Sequence, residues 1–142
     1  MSDLKTYNAK SGTFIPVWTL EIQTIADDTD RILDASMAVY PLSYGRYQRN
    51  ASISAMGRET AQPEPNSTTT THKTGQTETY PMVELKITLP RDPKTLELVM
   101  DAIHHVHHYE EPVIFLRSDH VSRAAYNPDN SNPNRWWNNG RG

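Results

Sequence analysis

The feature that most limits the fold is a helix closed at both ends by its own residues. Asp92 can accept hydrogen bonds from the free N–H groups of a first turn, and Pro93 is preorganised for the first helical position. Pro112 sets the far limit, because the residue before a proline is pushed out of helical geometry. Between them Leu96, Val99, Ile103 and Val106 fall in one sector of a wheel turned about 100° per residue. The spacing therefore predicts a helix from Asp92-Pro93 to about His107 with one stripe laid on a sheet. The apolar run Val113 to Leu116 follows, and it reads as a short strand buried on both faces. The stretch from Asp101 to Leu116 also holds four of the six histidines.

Upstream, the pattern supplies the sheet this helix needs. Residues 1–13 lack periodicity and read as an N-terminal arm. From Val17 to Ile25, Trp18, Leu20 and Ile22 alternate with Thr19, Glu21 and Gln23, the period of a half-buried strand. Ala26 to Asp30 offers N-cap candidates and acidic first-turn residues, and Ile32, Leu33, Ser36 and Met37 predict a helix over Thr29 to Val39, ended by Pro41. Leu42 to Met56 alternates again and predicts a second strand. Residues 58–76, with the run Thr68 to Thr71, have little to bury and read as a mobile hairpin insertion. Thr77 to Leu89 then points Val83, Leu85, Ile87 and Leu89 inward. The order β-α-β-β-α-β specifies an α+β fold of the ferredoxin-like split βαβ type, with a four-stranded antiparallel sheet and two helices on one face. It occupies residues 14–121, and residues 122–142 are a polar tail with a tryptophan pair.

Composition narrows the function classes. A net charge of -3 without a Lys/Arg cluster gives no footprint for nucleic-acid phosphates. No apolar run is long enough to span a bilayer, so no membrane partner is expected. With no cysteine there is neither a disulfide framework nor a thiolate site, and the Met1-Ser2-Asp3 start lacks the basic and apolar regions of a signal peptide, so a cytoplasmic protein is expected. No Gly-rich phosphate loop, GxSxG or HExxH sequence is present.

The chemistry-bearing residues cluster at the helix end. His107 shares the core sector and reads as an imidazole hydrogen-bonded in the interior. Asp101, His104, His105 and His108 share another face at i, i+3 and i, i+4 spacings, which suits Zn, Cu or Ni, while the competing reading is a solvated face favoured by the helix C-terminus. Glu110 and Glu111 suit acid-base work with a histidine if burial raises one pKa, or else a structural corner. Asp119-His120 is a possible distal ligand pair, and His72 reads as solvated. Trp136 and Trp137 read as an anchor for the tail, on its own domain or on a neighbouring subunit, or as the lining of a pocket.

The segment His107-His108-Tyr109-Glu110-Glu111-Pro112 resembles the corner of the CutA divalent-cation tolerance family, with His108 where that family has proline. It is also similar to the domain inserted in Nif-three-like proteins, a relative of the nitrogen-regulatory PII fold. The strand Val83 to Leu89 and the helix Leu96 to Val106 sit where the CutA family has theirs, and Tyr126 with Trp136 echoes its aromatic residues near the end. The resemblance implies a ferredoxin-like subunit that forms a homotrimer through its sheets and binds copper or another divalent cation. A sheet face uncovered by helices independently calls for a self-partner, trimer or dimer. The leading expectation is thus an oligomeric, non-enzymatic CutA/PII-like protein that binds a divalent metal or small effector. The competing ones are an enzyme using Glu110 or Glu111 with a histidine, and a regulatory interaction module built on the 58–75 hairpin.

Overall fold

The computed structural model describes residues 3–68 and 75–138, so His72 lies outside the described residues. In chain order the elements are β1 (Tyr7–Ala9), β2 (Gly12–Thr24), α1 (Thr29–Met37), β3 (Ser52–Ile53), β4 (Gly57–Ala61), β5 (Glu78–Leu89), α2 (Pro93–Val106) and β6 (Val113–Ala124). Single 3-10 turns occupy Ala26–Asp28 and Trp136–Asn138. Two compact units result, Trp18–Arg117 and the described parts of 1–17 with 118–142.

In the larger unit the alternation of β2 and β5 does what the sequence predicts. The strands run antiparallel with Leu20 opposite Ile87 and Ile22 opposite Leu85, which places four apolar side chains on one face. Ile32 and Leu33 of α1 and Val99 and Ile103 of α2 join the same buried cluster, so both helices cover that face. β6 pairs with β2, and β3 and β4 pair with β5. The first and third expected strands are therefore central, with the fourth and second at the edges. This is the α+β, ferredoxin-like arrangement. Asp92 caps α2 by accepting from the N–H groups of Lys94 and Thr95, and Pro93 takes the first turn.

Three local expectations give way. Six strands form where four were expected: β1 lies in the stretch read as an arm, β4 lies almost wholly in the stretch read as a hairpin insertion, and the run from Leu42 to Met56 keeps only Ser52–Ile53 as strand. Leu42 and Arg49 have φ of 54° and 56°, left-handed values that break an extended run. Leu42, only 1% exposed, plugs the core, and Arg49 reaches back to Asp30 and Asp34 of α1. Extended pairing resumes at β3 and again at β4, whose residues Gly57 to Ala61 face Met82 to Glu78. Helix α1 also stops at Met37, short of Val39. Finally, β6 is not buried on both faces, since Phe115 and Leu116 are each 50% exposed. It is an edge strand of which Ile114 packs on the core cluster. By alternation Phe115 and Arg117 point away from the helices, and Arg117 pairs there with Glu21 at 3.0 Å.

The smaller unit begins with a hairpin in which Tyr7 to Ala9 pair with Phe14 to Gly12. A Cβ on Gly12 would stand 2.5 Å from the Arg123 carbonyl oxygen, so the close approach requires glycine there. Tyr7 donates to Asp3 at 2.6 Å and meets the His120 ring edge-on. His120 in turn bonds the Lys5 carbonyl at 2.8 Å. In the tail, Asn127, Asn130 and Asn132 each accept from a backbone N–H two residues on, the Asx turns expected of such a sequence.

The core assignment predicts an asymmetry between two α2 leucine-sized residues. Ile103→Ala should cost about 2–5 kcal/mol in urea unfolding, as a cavity among fixed neighbours does. Leu98→Ala, at 39% exposure, should cost under about 1 kcal/mol.

Candidate functional site

The site assembles where α2 ends. The C-cap residue His107 has ψ of 140°, so the chain leaves helical geometry after Val106 and the wheel no longer applies to His107 or His108. His107 is nevertheless turned inward. Its Nε2 lies 2.8 Å from the Gln23 carbonyl oxygen, and its Nδ1 accepts the Tyr109 backbone N–H at 3.0 Å. A carbonyl accepts and a backbone N–H donates, so the ring is the neutral tautomer with its proton on Nε2. Burial lowers the His107 pKa below the usual imidazole value, against an opposing pull from Asp28. Both ring nitrogens are occupied, which leaves this histidine no free atom for proton transfer.

Asp28 explains how β2, α1 and the corner hold together. Its carboxylate is buried and accepts from the Thr24 hydroxyl at 3.3 Å, from Arg31 and from the His108 backbone N–H at 3.0 Å. It stands at the N-cap of α1 without making a side-chain cap bond. The sequence marked it as a cap candidate. Its tie to a backbone N–H eighty residues on had no local signal.

Beyond His107 the corner builds one wall of a cleft. Tyr109 donates to Glu59 of β4 at 3.1 Å and meets Tyr80 of β5 edge-on, with ring centroids 6.1 Å apart. Burial, with the Glu59 charge beside it, pushes the Tyr109 phenol far above its usual range, and the same two causes raise Tyr80. Glu110 accepts the Thr68 backbone N–H at 2.7 Å, fastening the excursion after β4 to the corner. Glu111 and His108 face the same space, which has a volume of about 880 Å³. Glu59, Ser67 and Thr68 lie in the stretch read as a polar insertion, which gives no periodic signal for which residues turn inward, and Tyr80 lies on the predicted third strand, where only the aliphatic positions were marked as inward.

The proposed metal face is less convergent than its spacing suggested. Asp101, His104, His105 and His108 are all exposed. The Nδ1 of His104 bonds the Met100 carbonyl at 3.0 Å, and His108 has left the helix. Among the described residues no group of three or more His, Cys, Asp or Glu is placed to hold a metal ion. Pro112 ends the turn before β6, as its ring requires. In the tail, Tyr126 and Trp136 each meet Trp137 edge-on, at 5.7 and 4.6 Å between centroids. Trp137 donates to the Asn130 carbonyl at 3.0 Å.

No protein-family model matches the chain, and no curated protein sequence matches it. Solved structures do. A protein related to NIF3 from Bacillus cereus superposes with a TM-score of 0.60 at 17% identity, over 78% of this chain and 28% of that one. The chain thus spans little more than a quarter of that relative. CutA1 from Oryza sativa gives 0.53 at 13% identity, over 78% of this chain and 84% of that one. The periplasmic divalent cation tolerance protein CutA from Archaeoglobus fulgidus gives 0.51 at 13% identity, over 72% and 82%. These likenesses establish an α+β ferredoxin-like fold. More particularly, it is the fold of the CutA proteins. Among the described residues, no helix is long and apolar enough to cross a membrane.

The His107 arrangement predicts a pH dependence of stability. Its folded pKa lies below that of the unfolded chain, so the unfolded state binds the proton more readily. The contribution is complete above about pH 6.5 and is lost as pH falls through the lowered value. Urea midpoints should therefore drop between about pH 7 and 5, and His107→Gln should flatten that slope.

Proposed function

We propose that the chain is a self-associating, non-enzymatic binding protein of CutA/PII-like form that takes a small effector in the cleft at the end of α2. The observation that carries this reading is the cleft itself. At about 880 Å³ it falls in the size range of small-molecule sites, and it combines aromatic walls with a few oriented polar groups. The occupied nitrogens of His107 weigh against acid-base catalysis by that histidine and Glu110 or Glu111.

A divalent ion is the second reading, supported by the cation tolerance named for the Archaeoglobus fulgidus structure. On this chain Asp101 and His105, at i, i+4 on α2, would supply an open two-donor site for Zn, Cu or Ni instead of a closed shell. Self-association rests on β6, where Phe115 is half exposed on the face turned from the helices. A homotrimer or dimer would cover it. The Tyr126–Trp137 cluster is a further contact point for such a neighbour.

Two measurements test the reading. Light scattering after size exclusion should give a multiple of 16.2 kDa that falls toward the monomer in Phe115→Glu; a wild-type monomer ends the self-association claim. A thermal-shift screen of organic cations, organic anions and divalent metals should raise the melting temperature for at least one class. Ligand at a hundred times its Kd adds about 2.7 kcal/mol, and Glu110→Lys, which reverses a charge on the cleft wall, should weaken the response to a cation or strengthen that to an anion. If no class stabilises the wild type, or both proteins respond alike, the cleft is not a binding site.

A further inference from the structure

We infer that the cleft is built for an organic cation carrying two or more ammonium or guanidinium groups, a deduction that rests on the cleft being the binding site proposed above. The carboxylates of Glu59, Glu64, Glu78, Glu110 and Glu111 line it, and no lysine or arginine is among its described lining residues. A nucleotide or other phosphate ligand would meet charge of its own sign here. A bare ion is also poorly matched, because no three donors among the described residues converge on one point. The negative charge is spread along walls that enclose about 880 Å³, so the complementary ligand is itself extended, with its charges separated by an apolar backbone.

One further observation fits that ligand. Tyr80 and Tyr109 line the cleft and are held edge-to-face; both donate their hydroxyls to Glu59. The rings thus offer aromatic surface beside an oriented carboxylate, the combination that attracts ammonium and guanidinium groups.

Calorimetry with spermidine, ADP and Zn²⁺ as probes tests the assignment on the full chain. Glu64→Gln/Glu111→Gln removes two exposed carboxylates of the cleft, and Glu97→Gln, on the exposed side of α2, controls for general attraction to an acidic protein. Spermidine should bind the wild type and Glu97→Gln equally, and bind the double variant at least tenfold more weakly. Equal spermidine binding by all three proteins overturns the inference, because attraction is then not located in the cleft. ADP or Zn²⁺ binding that the double variant alters, with no spermidine binding, also overturns it and leaves the cleft as an effector site of another class. If no probe binds, the inference and the reading beneath it both fall.

Discussion

A buried carboxylate holds the functional end of this protein together. Asp28 accepts from Thr24 at the end of β2, from Arg31 in α1 and from the backbone of His108 after α2. The β2–α1 junction and the corner eighty residues on are thereby fixed at one point. A buried charge is tolerated when it is paired and hydrogen-bonded, and removing its partners leaves it uncompensated. That makes the junction unforgiving of change. The sheet and helices can form from their own patterns, but the direction in which the chain leaves α2 depends on this one group.

His107 turns that anchoring into a shape. With one nitrogen given to the Gln23 carbonyl and the other to the Tyr109 N–H, the imidazole works as a rigid strut between β2 and the corner. Tyr109 and Glu110 are then aimed at β4 and at the segment following it, where Glu59 and the Thr68 backbone receive them. The cleft is a consequence of those two ties. Its acidic, aromatic character comes from residues that play no part in the hydrophobic core, which is why the chemistry of the site is separate from the stability of the fold.

Much of the fold was legible because it rests on periodicity. The alternation of Leu20 and Ile22 with Leu85 and Ile87, and the Asp92-Pro93 opening of α2, are local signals that tertiary structure did not override. The segment from Leu42 to Met56 shows the limit. Its alternation was real, yet Leu42 and Arg49 adopt left-handed backbone, the first to fill the core and the second to reach two aspartates on α1. The site was legible only in part. His107 was placed in the interior for a reason that proved incidental, since the helix ends before it and the cap geometry turns it inward. The His104, His105 and Asp101 spacing described a helix face faithfully but not a convergent ligand set. Glu59 and Ser67 carried no signal at all, because which residues of a polar loop face inward is decided by distant partners.

The pairing of β4 with β5 closes the excursion at its base, with Gly57 to Ala61 against Met82 to Glu78 and the Gly75 N–H on the Pro63 carbonyl at 2.7 Å. The described residues beyond that clasp, up to Thr68, contribute nothing to the buried cluster under the helices. The wall of the cleft and the core of the protein are therefore built from separate sets of residues. Substitutions among residues 63–68 would therefore change the lining opposite the Tyr109-Glu110-Glu111 corner without touching the buried cluster that supports the corner.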